Sequence, residues 1–173
     1  MFGRCSVPGR QTFLCKVYNI MFPEEKLSED RLSHIICKYS YLYIGDQKYG
    51  SMFERGGLRS ASLMASWANM DGEIDPENVP LRPGVVSHYI SHKLFVRKNS
   101  KVSTFVFAIV QWNKFPLSTS SRQVWKDGQY FTGGPSTYLP VQRIHCKVVA
   151  GLPKTNNNIY LTACPVTRKV LSS

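Results

Sequence analysis

Four histidines and five cysteines are the side chains of this 173-residue chain best suited to hold a metal or act as nucleophiles. His88 and His92 are four residues apart. On a helix that spacing lets two imidazoles share one ion. Residues 85–96 read as a strand, where positions i and i+4 share a face but sit about 13 Å apart, too far for one ion. His145 and Cys146 are adjacent and therefore point to opposite faces of a strand. Cys146, Cys164 and a histidine could meet through strand pairing, but no ligand spacing marks such a site. The cysteines (Cys5, Cys15, Cys37, Cys146, Cys164) are odd in number and none forms a CxxC pair. A secreted disulfide framework is normally even and denser. They read as reduced, mostly buried apolar residues of an intracellular protein. Neither a metal nor another cofactor is expected.

Acid–base chemistry has little to work with. The eleven carboxylates gather mainly at 24–30 and 71–77, which suit a helix start and a solvated loop. A metal-dependent nuclease would need carboxylates at strand ends, converging on a divalent ion. The β-rich second half offers only Asp127. Gly56-Gly57 and Gly133-Gly134 lack the following Lys-Ser or Lys-Thr of a phosphate loop, and read as turns. No nucleophile motif surrounds any cysteine. A metal-dependent nucleic-acid enzyme is therefore the least favoured reading, and a non-catalytic binding module the leading one.

Charge supplies the strongest functional signal. Residues 1–77 hold 9 Lys+Arg against 10 Asp+Glu, whereas residues 78–173 hold 13 against 1, a net of +12. A cationic surface attracts phosphate at long range and gains from counterion release. Nucleic acid, DNA or RNA, is the expected partner. An acidic protein partner and a merely solubilising face are the alternatives. The candidate contacts are Lys93, Arg97, Lys98 and Lys101 around a basic turn, then Arg122 and Lys126 flanking Trp125, then Arg143 and Lys147. Trp125 lies in a polar stretch, where an exposed ring could stack on a base. Phe105, Phe107 and Trp112 read as core. Tyr39, Tyr41 and Tyr43 alternate along one strand and Tyr49 returns on the next, so an aromatic cage for a methylated lysine competes with a core reading.

These residues must be positioned by short elements. Residues 12–20 alternate and are rich in β-formers, which predicts a strand. Residues 24–39 read as a helix, with acid after Pro23 and an apolar stripe of Leu27, Leu32, Ile35 and Ile36. Residues 39–44 and 48–53 predict a hairpin across Gly45-Asp46. Residues 60–67 lean to strand, and 69–84 form a long acidic, turn-rich loop. Residues 85–96 and 103–112 make the clearest hairpin, joined by Arg97-Lys-Asn-Ser-Lys101. A polar stretch at 113–135 precedes a strand at 138–150, bent at Pro140, and a last strand at 159–164. The expected fold is mostly β, a small antiparallel barrel or sandwich with one N-terminal helix, divided into a lead of 1–38 and a β domain of 39–173. The longest apolar run, 105–110, is far shorter than the roughly 18–20 residues of a membrane span, so no membrane association is expected.

Three segments carry a resemblance: Tyr41-Leu-Tyr-Ile-Gly-Asp46, the strand–basic turn–strand of 85–112 ending in Gln-Trp, and Tyr138-Leu-Pro-Val-Gln-Arg-Ile-His-Cys-Lys-Val-Val149. Together they resemble the small all-β domain near the C-terminus of many transposon-encoded eukaryotic proteins, itself similar to bromo-adjacent homology modules that bind chromatin. The resemblance spans roughly residues 39–165. It implies an intracellular, nuclear protein that helps place a larger assembly on DNA or chromatin, and it assigns no catalytic residue. A protein-interaction or assembly module is the alternative, expected to show an exposed apolar patch around 113–135.

Overall fold

The computed structural model describes residues 10–69, 72–77, 81–113, 124–126, 130–131, 134–151, 154–155 and 158–166. Strand β5 (Arg82–Val96) and strand β6 (Lys101–Asn113) form a long antiparallel hairpin, joined by a single 3-10 turn at Arg97–Asn99. Their register runs from Gly84↔Trp112 to Val96↔Lys101, with one bulge between Val86 and His88. Ser100 closes the turn in the left-handed region at φ +49. This hairpin follows the alternation read from the sequence.

The other strands build outward from it. Helix α1 (Arg10–Met21) is followed by β1 (Ile36–Tyr39), β2 (Tyr41–Ile44), β3 (Gln47–Gly50), the single turn α2 (Leu58–Ala61) and β4 (Ser62–Ala65). After β6 come β7 (Val124–Lys126), β8 (Tyr130–Phe131), β9 (Tyr138–Pro140), β10 (Ile144–Gly151), β11 (Lys154–Thr155) and β12 (Asn158–Val166). The main sheet runs β11-β12-β10-β4-β5-β6-β8, with β1 also on β5, β7 on β12 and β9 on β6, all antiparallel in their pairing. Its path has two ends, so it is not a closed barrel. β2 and β3 form a separate two-stranded sheet around Gly45, which takes φ +58 at the first loop position. The class is mostly antiparallel β with one N-terminal helix, as expected.

Two elements differ from expectation. The N-terminal helix lies at Arg10–Met21, not at 24–39. Leu14, Val17, Tyr18 and Met21 fall at i, i+3, i+4 and i+7, and this stripe packs into the core. The β-forming composition of the same residues hid that period. Residues 24–39 instead form 3-10 turns at Pro23–Glu25 and Glu29–Arg31, followed by β1. The physical reason is local. Lys26 sits in the left-handed region at φ +45, and the Asn19 side chain clamps Leu27 from both sides. Asn19 Nδ2 donates to the Leu27 carbonyl (2.8 Å), and the Leu27 N–H donates to Asn19 Oδ1 (2.7 Å). Ile35, placed on the expected apolar stripe, is 53% exposed.

The acidic loop ends earlier than expected, because β5 already begins at Arg82 and pairs with β4. Gly84 is required there: a Cβ would collide with the Val110 side chain and lie 3.1 Å from the Trp112 ring. Arg82 is buried beside it. Its Nε donates to the Asn113 carbonyl (2.8 Å) and its Nη1 to the Asn69 carbonyl (2.5 Å), tying the loop to the end of β6. Burial pushes its pKa down from the ordinary arginine value. The 138–150 strand does break after Pro140, through a 3-10 turn at Val141–Arg143. Within 113–135, β7 pairs with β12 and β8 with β6; the remainder of that stretch, apart from Asn113, Gly134 and Pro135, lies outside the described residues.

α1 covers one face of the hairpin. The Tyr18 ring packs edge-on against Phe105 (5.4 Å) and Phe107 (5.5 Å), and Phe22 against Phe105 (5.4 Å). Phe107 and Trp112 are fully buried and Phe105 packs against the core, as the sequence implied. His92, buried on β5, joins three segments: its Nε2 lies 2.8 Å from the Ser33 carbonyl and its Nδ1 2.9 Å from the Tyr18 hydroxyl. A carbonyl can only accept, so Nε2 carries the proton and Nδ1 accepts from Tyr18. Desolvation lowers the His92 pKa, partly opposed by the bond to Ser33.

That shift fixes a pH dependence. The unfolded chain takes up a proton near pH 6.5, above the pKa of folded His92, so below that pH the unfolded state binds more protons. The His92 contribution is complete above about pH 6.5 and is lost as pH falls toward the folded pKa. Thermal midpoints should therefore drop between about pH 7.5 and about pH 5.5. His92→Gln should flatten this part of the slope, whatever it does to the midpoint at neutral pH. An unchanged slope in that variant would contradict the assignment.

Candidate nucleic-acid interface

The hairpin extends beyond the rest of the sheet. On one edge, β1 pairs with β5 only through His92. On the other edge, β9 pairs with β6 at Phe107–Ile109 and β8 at Trp112–Asn113. Among the described strands, residues 93–96 and 101–104 therefore pair only with each other. The tip is a two-stranded ribbon with two unlike faces. Leu94 and Val96 turn into the core. Lys93, Phe95, Val102 and Thr104 are exposed, and the register sets Lys93 opposite Thr104 and Phe95 opposite Val102. Directly opposed residues share a face with Cβ atoms about 5 Å apart, so these four form one open surface.

Cations surround that surface. Lys93 lies on it, and Arg97, Lys98 and Lys101 are exposed at the turn. Among the described residues, none of the four makes an ion pair. Their charge is left to solvent and to whatever docks there. The turn is nevertheless anchored. The Lys98 backbone N–H donates to Glu25 Oε1 (3.1 Å), and Glu25 is buried in the Pro23–Glu25 turn. A carboxylate 73 residues away thus fixes the cationic turn through its backbone while its side chains remain outward.

The other expected contacts lie elsewhere. Arg143 sits in the turn before β10 and its Nη1 donates to the Pro76 carbonyl (2.9 Å). Lys147 pairs in register with Leu63, which pairs with Gly84, and its Nζ lies 5.8 Å from the Tyr49 ring. Twelve residues of β5 lie between Gly84 and Arg97, on the order of 40 Å of extended strand. Arg143 and Lys147 therefore belong to the far end of the ladder. Trp125 and Lys126 lie on β7, opposite Leu161 and Tyr160 of β12. Arg122 lies outside the described residues. The structure thus gathers Lys93, Arg97, Lys98 and Lys101, and separates Arg143 and Lys147 from them.

Phe95 is the residue the sequence reading passed over. Its signal was present, because Lys93-Leu94-Phe95-Val96 alternates and Lys93 already marked the outer face.

The four tyrosines do not form a cage. Tyr49 is buried, with its hydroxyl on Gln47 Oε1 (2.9 Å), and the Tyr39 hydroxyl pairs with Ser91 Oγ (3.1 Å). Only Tyr41 and Tyr43 meet, edge to face at 6.0 Å, and Lys48 Nζ already lies 4.3 Å from the Tyr41 ring. Its bond to Glu54 raises the Lys48 pKa.

No convergent acid–base set emerges among the described residues. None holds three or more His, Cys, Asp or Glu in metal-binding proximity. Cys164 opposes Val149, three residues along β10 from Cys146, so pairing does not bring the two cysteines opposite one another. The buried Cys15 thiol donates to the Leu27 carbonyl (3.2 Å), and burial together with Glu29 and Asp30 raises its pKa, the reverse of nucleophile activation. A cleft of about 370 Å³ lies between the end of α1, Trp67, Pro76 and Arg143, with mainly apolar walls. No helix among the described residues is long and apolar enough to cross a membrane. Comparison with protein-family models, curated proteins and solved structures returns no match.

The Glu25 contact carries its own test. Glu25→Ala leaves the partly buried Lys98 N–H without its acceptor, at a cost of about 1–3 kcal/mol. Glu25→Gln keeps an acceptor oxygen. Amide exchange at Lys98 should accelerate in the alanine variant and remain close to wild type in the glutamine variant. Equal exchange in all three proteins would show that Glu25 does not hold the turn.

Proposed function

We propose that this protein is a non-catalytic nucleic-acid-binding module and that the tip of the β5–β6 hairpin is its contact surface. The observation that carries the reading is the group of four exposed cations, Lys93, Arg97, Lys98 and Lys101, on an anchored ribbon with no acidic partner among the described residues. Phosphate is the ligand that such unneutralised charge favours, because binding releases condensed counterions. The net of +12 over residues 78–173 supplies longer-range attraction in the same direction. The resemblance to chromatin-binding β modules of transposon-encoded proteins supports placement of a larger assembly on DNA or chromatin in the nucleus.

A second reading rests on a different surface. Tyr41, Tyr43, Met52 and Phe53 are exposed on and after the β2–β3 hairpin, Phe53 at 76%. Large exposed apolar side chains close together in the chain favour a protein partner. Affinity for such a partner would survive high salt, unlike phosphate binding.

Fluorescence anisotropy with labelled oligonucleotides, titrated from about 50 to about 200 mM salt, separates the two. Four phosphate contacts predict a log–log salt slope of about −3. The triple variant Arg97→Ala, Lys98→Ala, Lys101→Ala should weaken binding and reduce that slope by about 2 to 3. Arg143→Ala with Lys147→Ala should have little effect. Absence of binding at low salt, or binding indifferent to the triple variant, would overturn this assignment.

A further inference from the structure

We propose that the open face of the hairpin tip is a stacking platform for single-stranded nucleic acid, with Phe95 receiving an unpaired base and the surrounding cations holding its phosphates. This rests on the nucleic-acid reading above and specifies its ligand.

The fold does not require Phe95 where it is. Leu94 and Val96 already supply the buried side of the ribbon, while Phe95 and Val102 are 54% and 62% exposed and directly opposed. A lone exposed apolar residue is ordinary on any protein surface. Here two are paired across strands, with Lys93 on the same face two residues before Phe95 and Arg97 two residues after it in the turn. Lys101 opposes Val96 at the start of β6, so it starts on the other face of the ribbon and can reach the platform only around the turn. An aromatic face flanked by cations at this spacing meets the two surfaces that a single strand presents together: a base plane and a phosphate chain.

The duplex fits less well. In a duplex each base plane is covered by its neighbours, so an exposed ring gains nothing from stacking unless a base pair opens. Reading base edges in a groove needs side chains that form directional hydrogen bonds. On the open face Phe95 and Val102 occupy the centre, and the hydrogen-bonding side chains, Lys93 and Thr104, lie to one side of them. Binding should therefore tolerate most sequences, because every base has a π-face.

The test compares a labelled single strand of about 12 nucleotides of mixed sequence with the duplex of the same sequence, by anisotropy at two salt concentrations. Wild type should bind the single strand more tightly. Phe95→Ala should weaken single-strand binding by about 5- to 150-fold, with the salt slope unchanged and duplex binding unaffected. Phe95→Trp should restore it. Phe95 lies on the surface, so the thermal midpoint of each variant should stay near that of wild type, which separates lost stacking from lost fold. Equal affinity for the two ligands, with Phe95→Ala silent while the Arg97, Lys98, Lys101 variant loses binding, would overturn the platform and leave the nucleic-acid reading standing. No binding of either ligand by wild type would overturn both.

Discussion

The ladder between β5 and β6 is the constraint on which the remaining placements depend. β5 is hydrogen-bonded along both edges, to β6 on one side and to β4 and β1 on the other. Its burial pattern changes along its length. From Arg82 to Val86 every residue is buried, as in a central strand, whereas from Lys93 to Val96 exposed and buried residues alternate. The same strand thus serves as the spine of the sheet at one end and as a projecting ribbon at the other. The transition lies at His92, which bonds the Tyr18 hydroxyl and the Ser33 carbonyl just before the tip.

The charge of the tip follows from this geometry. A strand paired on both edges has neighbours that could screen or neutralise its side chains. Beyond His92 the ribbon has lost those neighbours, and Lys93, Arg97, Lys98 and Lys101 make no ion pair among the described residues. The acidic N-terminal segment does touch the turn, yet Glu25 bonds a backbone N–H and not an ammonium or guanidinium group. The contact holds the loop without pairing its side-chain charge. An anchored and unneutralised turn loses less conformational entropy on docking than a free loop would.

Much of this was legible in the chain, for a definite reason. The 85–96 and 103–112 hairpin, the Gly45-Asp46 turn and the break after Pro140 are set by local alternation, glycine and proline, which act within a few residues. The misplaced helix shows where local reading fails: residues 12–21 contain both a strand-like composition and a helical stripe of Leu14, Val17, Tyr18 and Met21. Packing on Phe105 and Phe107 selected the second. Nor does chain order show that Arg143 and Lys147 fall at the opposite end of the ladder from Arg97. That follows from β10 pairing with β4, a register that spans about eighty residues. Phe95 was hidden differently, since its type implied core and only its alternation with Leu94 implied surface.

The most direct test of the account is a map of where nucleic acid touches the protein. Backbone amide shifts recorded by two-dimensional NMR during titration with a single-stranded oligonucleotide would provide it. The account predicts that the perturbed amides cluster at residues 93–104, with those around Glu25 moving as the turn they hold responds. Perturbations centred on Tyr41, Tyr43 and Phe53, or on Arg143 and Lys147, with residues 93–104 unmoved, would contradict it.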